Sequence, residues 1–485
     1  MAGARRYDLA VIGGGAAGLV AAHGAAGLGA RVVLIEREAR TGGDCLWTGC
    51  VPSKSLIAAA DLAHRMRTAP RVGLAAVEPQ IDFARVMDHV HAAREAIAPT
   101  DSVERLRAAG VHVIHGEARL DGPGRLVAGG RVVRWRRLLI ATGSQPRVPH
   151  IPGLDRAAVL TNEDVWDLRE LPPRLVVVGG GPVGCELAQA FARLGSRVTL
   201  VEAGARLLPA EEPDAGRLIA ERLSAEGVDV RLGATAVRAE RAEGVARLVV
   251  DGPTPGEGGV VPFDRLLAAT GRTPTTAGMG LEEIGVELRA DGGVRVDAGL
   301  RTTVRGIFAA GDVTGILPFT HVAGTHGRIV VANALFHGRG RFDAAAVPWV
   351  TFTDPEVGRV GLTEEQARER FGRVTVARFD YADSDRAITA GVPYGFAKLV
   401  AGPRGRLVGA TVAAPAGGEA IDALALRVAR GDTISDISRQ VHAYPTFAEG
   451  PARAADALLV QRWLGPRVRR FTRPALAVMR ALDRG

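Results

Sequence analysis

Two cysteines and a lysine lie within ten residues of one another in the segment GGDCLWTGCVPSK, residues 42–54. Cys45 and Cys50 are two of the three cysteines in the 485-residue chain, and Lys54 is one of its two lysines. A cysteine pair can cycle between dithiol and disulfide, and a nearby positive charge stabilises the thiolate. No second cysteine pair could complete a four-cysteine zinc site, so the segment indicates redox chemistry. Cys185 is expected to be a packed small residue.

Two stretches, residues 8–36 and 175–202, repeat a pattern of apolar run, glycine turn, helical segment and second apolar run. The first glycine of such a turn permits a tight bend, the second lets the backbone approach a pyrophosphate, and the third lets the helix pack on the strand. In each copy an acid lies 23 positions after the first glycine, where it would bind a ribose 2′-hydroxyl. Two dinucleotide sites are predicted. Their residues are Gly13, Gly15, Gly18 and Glu36 in the first copy, and Gly179, Gly181, Gly184 and Glu202 in the second.

Two dinucleotides in one chain indicate a flavin that stays bound, FAD, and a nicotinamide that comes and goes. The carboxylate of Glu202 would repel a 2′-phosphate, so NADH is the predicted donor. Arg206, four residues later, leaves NADPH possible.

These motifs together resemble the class I pyridine nucleotide-disulfide oxidoreductases, the family that includes dihydrolipoamide dehydrogenase and mercuric reductase. The family's redox segment has two glycines, one residue, Cys, four residues, Cys, one residue and Pro-Ser-Lys, and residues 42–54 fit it throughout. The resemblance extends to about residue 465. Other matching segments are LLIATGSQPRVP (138–149), LLAATGRTPTT (266–276), GIFAAGDVTG (306–315) and VPWVTFTDPEVGRVGLTE (347–364).

The resemblance implies roles for the residues of these motifs. Cys50 would lie against the flavin as a thiolate, and Cys45 would be the interchange thiol that meets the substrate. Lys54 would pair with Glu186 near the flavin N5, and Asp312 would contact the ribityl chain. Further cofactor-binding residues would be Gly43, Thr142, Gly143, Gly271 and Gly311, and His321 and His326 would lie near the flavin ring.

The resemblance also implies the architecture. The fold class is α/β, with two Rossmann-like, three-layer ββα dinucleotide-binding domains and a C-terminal α+β dimerisation domain of a homodimer. The expected boundaries are 1–150 and 278–345 for the FAD-binding domain, 151–277 for the NAD(P)-binding domain, 346–465 for the dimerisation domain and 466–485 for a basic tail.

The segment HAYPTFAEG, residues 442–450, departs from the family pattern. In the family's dithiol reductases a histidine before Pro-Thr, oriented by a glutamate, is the base supplied by the partner subunit. Glu449 is present here, but Tyr444 stands in the histidine position. With a pKa near 10, tyrosine is a poor base at neutral pH. His442 is either a substitute base or an ordinary surface or packing histidine.

Tyr444 has two interpretations. The favoured one is a hydrogen-bond donor to a substrate or thiolate at the dimer interface, and the other is a packed aromatic in a site that has lost histidine-dependent chemistry. A tyrosine near this position is a feature of mercuric reductases, although their C-terminal Cys-Cys and N-terminal CxxC domain are not expected here.

The predicted function is therefore that of an FAD-dependent NAD(P)H oxidoreductase closest to the mercuric reductase-like subgroup, with a small molecule or metal ion as electron acceptor. One alternative is dihydrolipoamide dehydrogenase or another disulfide reductase. Others are a low-turnover flavin and NADH redox sensor, and a diaphorase that passes electrons from flavin to quinones.

Charge and composition exclude several other classes. The formal net charge is +8, and residues 466–485 with six arginines and one aspartate supply most of it, so a nucleic-acid-binding surface is not expected. Three cysteines form no disulfide framework, and no apolar run is long enough for a membrane span, so a cytoplasmic location is predicted. The tail is expected to be a solvated extension, because Pro466 and Pro474 would break a long helix. The alternative is a membrane-surface or partner-docking helix.

Overall fold

The computed structural model describes residues 6–254, 258–463 and 466–483. The chain divides into two compact units. The first comprises residues 1–69, 76–208 and 223–344, and the second comprises 70–75, 209–222 and 345–485.

Both units combine strands with α-helices. In chain order the strands are β1 (Tyr7–Ile12), β2 (Val32–Glu36), β3 (His112–His115), β4 (Ala118–Leu120), β5 (Arg125–Ala128), β6 (Arg131–Ile140), β7 (Ser144–Pro146), β8 (Val159–Leu160), β9 (Arg174–Val178), β10 (Arg197–Glu202), β11 (Asp229–Leu232), β12 (Thr235–Ala242), β13 (Val245–Asp251), β14 (Gly259–Phe263), β15 (Arg265–Ala268), β16 (Arg272–Pro274), β17 (Ile307–Ala309), β18 (Pro348–Thr351), β19 (Glu356–Gly361), β20 (Thr375–Asp380), β21 (Phe396–Ala401) and β22 (Leu407–Ala414). The α-helices are α1 (Ala16–Gly27), α2 (Gly43–Trp47), α3 (Cys50–Arg67), α4 (Phe83–Ile97), α5 (Val103–Ala108), α6 (Pro182–Arg193), α7 (Pro213–Ala225), α8 (Thr320–Phe336), α9 (Glu364–Phe371), α10 (Asp385–Thr389), α11 (Gly417–Arg430), α12 (Ile434–Ser438), α13 (Gly450–Trp463) and α14 (Pro466–Leu482).

The first unit contains a sheet of order β3-β2-β1-β6-β5-β4, in which β17 also pairs with β6. Strands β3, β2, β1, β6 and β17 are parallel, whereas β4, β5 and β6 pair antiparallel. Because side chains alternate across a strand, Leu9 and Val11 of β1 pack with α1, α5 and α8 on one face. Ala10 and Ile12 pack with β4 and β5 on the other. These are the three predicted ββα layers.

The same arrangement recurs later in the first unit. Parallel strands are ordered β11-β10-β9-β15-β8, and a separate antiparallel sheet has the order β12-β13-β14. Val176 and Val178 of β9 pack against residues of that antiparallel sheet, such as Leu248 and Val261. Strands β7 and β16 pair as a two-stranded ribbon, so the two ATG segments that the sequence singled out lie side by side. Assignment of the ranges 1–150 with 278–345, and 151–277, to separate cofactor domains stays a prediction.

The second unit has a sheet of order β18-β19-β22-β21-β20, antiparallel throughout. Its core is closed by α11, α12 and α13. The chain's second lysine, Lys398 of β21, is buried there. Its Nζ lies 2.9 Å from Oε2 of Glu212 and 2.5 Å from Oε2 of Glu364. Such a buried cation needs its carboxylate partners, since an unpaired charge in a core is strongly destabilising.

The expectation that the prolines prevent a long helix in the tail is wrong. The described part of the tail forms α14, which begins at Pro466 and includes Pro474. A proline at the first helical position costs little, because its missing N–H would have no partner there. Pro474 removes one internal hydrogen bond without ending the helix. No helix among the described residues has the length and apolar character needed to cross a bilayer.

Candidate active site

The two glycine turns have nearly identical geometry. Gly13 and Gly179 have φ of +105° and +114°, in the region that favours glycine. A Cβ at Gly18 would lie 1.9 Å from the carbonyl oxygen of Gly13, and a Cβ at Gly184 would lie 1.9 Å from that of Gly179. The third glycine of each turn is therefore required for helix α1 or α6 to approach its strand.

Open space lies beside the middle glycine of each turn, as a bound pyrophosphate requires. A Cβ at Gly181 would meet no heavy atom within 4 Å, and one at Gly15 would meet only the Cα of Gly43, at 3.7 Å. Both residues are the N-caps of their helices, and neither cap is satisfied by a side chain. The residues present therefore fit two dinucleotides, with phosphates at the helix N-termini.

The acids at the ends of β2 and β10 hold the turns in place. Oε2 of Glu36 accepts a hydrogen bond from the backbone N–H of Gly14 at 2.5 Å. Oε2 of Glu202 accepts from the N–H of Gly180 at 2.5 Å, and its Oε1 accepts from the N–H of Gly204 at 2.6 Å. Each carboxylate thus has a fixed position at the carboxyl end of its strand, where a ribose would bind.

The redox segment lies directly against the first turn. A Cβ at Gly43 would be 2.7 Å from the Cα of Gly15, and Gly42 and Gly43 have φ of +116° and +60°. Helix α2 then carries Cys45, and helix α3 begins at Cys50. Both cysteines are free thiols; Cys45 is half-buried and Cys50 is exposed.

The surroundings of the two thiols favour Cys50 as the one that loses its proton and becomes the thiolate. The pKa of Cys50 is lowered to about 6, first because Cys45 donates a hydrogen bond to it, and further by Thr320 and by the charge of Lys54. Sγ of Cys50 lies 3.6 Å from Oγ1 of Thr320. The same pairing, together with burial, raises the pKa of Cys45. The position of Cys50 at a helix N-terminus also favours its thiolate.

Lys54 and Glu186 are brought together from helices α3 and α6. Nζ of Lys54 lies 2.9 Å from Oε2 of Glu186. The Glu186 side chain is only 7% exposed, against 35% for Lys54, so the lysine is the partner that reaches solvent. The pair therefore connects the redox helix to the helix of the second nucleotide turn.

The remaining predicted flavin residues lie just before β7 and β16, just after β17, or in α8. Ser144 donates to Oδ2 of Asp312 at 2.9 Å. Gly311 donates its N–H to Nδ1 of His326 at 3.2 Å, and burial lowers the pKa of His326 to about 4, so this histidine is neutral. Thr142 donates to the carbonyl of Thr275 at 2.6 Å. Gly143 and Gly271 have φ of +69° and +106°, and His321 stacks on Phe319.

Sequence reasoning missed three residues of this region: Thr320, Arg272 and Asp44. Arg272 donates to Oγ of Ser144 at 2.7 Å and to Oδ1 of Asn162 at 3.0 Å, and it also pairs with Asp44, the residue before Cys45. Burial raises the pKa of Asp44, although Arg272 opposes that effect. Asp44 lies within GGDCLWTGCVPSK and Arg272 within LLAATGRTPTT. A carboxylate in one motif and a guanidinium in the other was the sequence signal that could have revealed this ion pair.

The C-terminal site residues lie in the second unit. The Tyr444 hydroxyl donates to Oδ2 of Asp385 at 2.7 Å, and this bond raises the pKa of Tyr444. Tyr444 is 67% exposed, so the interpretation as a packed aromatic does not hold within its own chain. Nε2 of His442 lies 3.1 Å from the carbonyl oxygen of Ile437. Glu449 is buried, and burial raises its pKa.

Two nucleotide turns and a cysteine pair define a flavin- and nicotinamide-dependent dithiol oxidoreductase. The cysteine segment lies against the first turn, and Lys54 links it to helix α6 of the second. Residues 7–327 match the model of the pyridine nucleotide-disulphide oxidoreductase family, and residues 347–455 match that of its dimerisation domain. The chain belongs to this family, in its class I, and the predicted family, fold class and enzyme class are confirmed. Members of the family depend on FAD and use pyridine nucleotides.

Curated relatives of two kinds match nearly the whole chain. Mercuric reductase of Streptomyces lividans is 39% identical over 457 residues, covering 93% of this chain and 95% of the relative. Dihydrolipoyl dehydrogenase of Thermus scotoductus is 36% identical over 465 residues, covering 94% and 98%. Among solved structures, the Cu(II) complex of the HOCl-induced flavoprotein disulfide reductase RclA from Escherichia coli has a TM-score of 0.83 at 30% identity, covering 94% of this chain and 100% of that one.

Proposed function

We propose that this chain is the protomer of a homodimeric, mercuric-reductase-like flavoenzyme that oxidises NADH and delivers electrons through Cys45 and Cys50 to a metal ion. The observation that carries the proposal is the bond from Tyr444 to Asp385, in the segment where the family's disulfide reductases have a catalytic histidine. FAD bound at the first turn supplies the step between the nicotinamide and the cysteine pair.

The proposed class of electron acceptor depends on whether a base near Cys45 can remove its thiol proton. Thiol–disulfide exchange requires a thiolate, so a disulfide substrate benefits from a base near the interchange thiol. The pKa of Cys45 is raised, and that of Tyr444 is raised as well, so this tyrosine is unsuited to remove the proton. A soft metal ion needs no such base, because its binding itself displaces protons from thiols.

In this proposal Tyr444 offers its oxygen to a metal ion and does not donate a hydrogen bond to the substrate. Its proton is engaged by Asp385, so its oxygen remains available through lone pairs. In a homodimer with the family's arrangement, Tyr444 would face the partner's cysteine pair and offer that oxygen to a metal ion held by the thiolates. Each turnover would oxidise one NADH to NAD⁺ and a proton and transfer two electrons to the acceptor.

Two of the reported names support a metal acceptor. One relative is a mercuric reductase, and one of the similar solved structures is a Cu(II) complex of a flavoprotein disulfide reductase. The direct test is steady-state NADH oxidation by the purified holoenzyme with Hg²⁺, Cu²⁺, lipoamide, a quinone and oxidised low-molecular-weight thiols. Sustained turnover with a metal ion is expected, and preferred turnover of lipoamide would overturn the proposal.

Dihydrolipoyl dehydrogenase is the second candidate, because a relative of that name aligns over 94% of this chain and Glu449 occupies the position of the orienting glutamate.

Two further alternatives, a redox sensor and a diaphorase, are distinguished by steady-state NADH oxidation. A redox sensor would show stoichiometric reduction without sustained NADH consumption, and a diaphorase would reduce quinones equally well after Cys45→Ser.

Tyr444→His is expected to increase lipoamide reduction by about a hundredfold, the lower end of the roughly 10²–10⁴-fold that a positioned general base contributes. Glu449 is available to orient the new imidazole. Steady-state rates with lipoamide and with Hg²⁺ measure the change. Tyr444→Phe is the matched control, because it removes the hydroxyl without adding a base and should lower metal turnover only. An equal gain with Phe would show that the tyrosine merely obstructs the site.

The donor is proposed to be NADH, on the position of Glu202. With the Glu202 carboxylate held by two backbone amides, a 2′-phosphate would meet fixed negative charge. Glu202→Ala is expected to raise KM for NADH at least about tenfold, since a hydrogen bond to a charged group contributes roughly 1.5–3 kcal/mol and each 1.4 kcal/mol is about tenfold. Initial rates with NADH and NADPH measure this. Arg206→Ala should reduce NADPH use alone, and a wild-type preference for NADPH would contradict the assignment.

A further inference from the structure

Helix α14 is amphipathic over its described side chains. At 3.6 residues per turn, one face is apolar and carries Val468, Phe471, Ala475, Val478, Met479 and Leu482. The opposite face carries Arg470, Arg473 and Arg480. Residues 470 to 483 are all exposed, so no described residue covers this part of the apolar face, whereas Val468 at its start is half-buried.

Four large apolar side chains on this face are exposed together. Phe471 is 77% exposed, Val478 59%, Met479 55% and Leu482 69%. A contiguous exposed apolar stripe marks an interaction surface, whereas single exposed residues do not. The helix also lies beyond residue 455, where the match to the dimerisation domain ends.

We propose that α14 lies in the surface of an anionic phospholipid bilayer, with its apolar face in the acyl boundary and its arginines at the headgroups. Residues 466–485 contain six arginines and one aspartate, so their charge is complementary to acidic lipid headgroups. A strongly polar face rich in arginine opposite Phe and Leu is typical of helices in the interfacial plane. This inference is independent of the electron acceptor.

A second copy of the helix is a less suitable occupant. The 17 residues of α14 amount to little more than two heptads, and a coiled coil usually needs three or four. Counting Val468 as position a, the flanking e and g positions are Thr472, Pro474, Met479 and Ala481, which offer no interhelical ion pairs. Two such basic helices side by side would also repel each other.

The test is co-sedimentation of the full-length holoenzyme with vesicles of phosphatidylcholine alone and with added phosphatidylglycerol. Binding to the anionic vesicles is expected to be at least tenfold tighter and to weaken with salt. Replacing Arg470, Arg473 and Arg480 by glutamine should reduce it on the order of a hundredfold, at about fivefold per arginine. Phe471→Ser should reduce it about tenfold.

Matched controls carry the same changes elsewhere on the surface. Glutamine at the exposed Arg107, Arg134 and Arg156 removes equal charge, and Val260→Ser removes an apolar side chain that is 50% exposed. Neither should change vesicle binding, and NADH oxidation should be unaltered in all four variants. Binding that the tail variants do not weaken would overturn the proposal. Two further results would do so: loss of the dimer in light scattering after Phe471→Ser, which indicates a second copy, or equal affinity for polyglutamate, which indicates an acidic protein.

Discussion

Replacing Cys50 by serine is expected to lower metal-dependent NADH oxidation at least about a thousandfold, which is within the loss of roughly 10⁶-fold that follows removal of a catalytic nucleophile. The same change should abolish the long-wavelength absorption band that a thiolate against a flavin produces. The physical reason is that Cys50 carries the lowered pKa and so holds the negative charge of the reduced pair.

The two other cysteines are the controls for this experiment. Cys45→Ser should abolish turnover to the same degree yet keep a thiolate–flavin band, because Cys50 remains. In Cys45→Ala, which cannot donate a hydrogen bond to Cys50, that band should need a higher pH, since the hydrogen bond from Cys45 is the largest cause of the low pKa of Cys50. Cys185→Ser should leave both properties unchanged, since Cys185 is fully buried in α6, and burial raises its pKa. A band that survives in Cys50→Ser would reverse the assignment of the two roles.

The thiolate band of the reduced wild-type enzyme should titrate with an apparent pKa of about 6. Because this value lies below the ordinary cysteine pKa of about 8.5, the thiolate is present above pH 6 and is lost as the pH falls through 6. Absorbance recorded between pH 4.5 and 9 at constant ionic strength, about 0.1 M to hold screening fixed, checks this. A midpoint near 8.5 would show that the Cys45 hydrogen bond and Lys54 do not stabilise the thiolate.

Lys54→Met is expected to have the second largest effect. Removing the ammonium leaves the buried Glu186 carboxylate without this partner, and breaking a buried pair costs about 3–5 kcal/mol, less here because Lys54 is partly exposed. The apparent pKa of Cys50 should also rise, because Lys54 contributes to lowering it. Stopped-flow reduction by NADH and the pH titration of the thiolate band measure the two consequences.

A double-mutant cycle separates stability from chemistry at this pair. Lys54→Met combined with Glu186→Met should recover much of the lost stability, since two apolar side chains replace a broken ion pair. It should not recover the rate of flavin reduction. Lys398→Met is the matched control, because the other lysine is also held by glutamates but lies in the second unit, and it should lower stability without altering the thiolate band. Full kinetic recovery in the double variant would limit Lys54 to a structural role.

The parts of the site that sequence could predict are those that depend on local backbone requirements. Gly13, Gly18, Gly179 and Gly184 were predictable because a strand–turn–helix junction leaves no room for a Cβ, whatever surrounds it. The pairing of Lys54 with Glu186 came through family resemblance, since 132 residues separate the two.

Other contacts depend on tertiary packing and had no local signal. Asp385 meets Tyr444 across 59 residues, and Thr320 meets Cys50 across 270. The tail shows the opposite kind of error. Its two prolines were a strong local signal for a helix break, yet the helix continues through the second. One of them occupies the helix start, where its missing donor costs nothing, and the other removes only a single bond.

The contact between Gly43 and Gly15 bears on how such enzymes diversify. The two backbones are so close there that no side chain fits between them. If electrons leave the flavin at this contact, as proposed, this part of the site would tolerate almost no substitution. The proposed acceptor end would instead be formed by side chains, such as Tyr444 and its hydrogen-bond partner Asp385. A lineage could therefore exchange one acceptor for another by single codon changes while its electron supply stays fixed. Relatives with different substrates, at 39% and 36% identity, are the outcome that such an unequal division of constraint would produce.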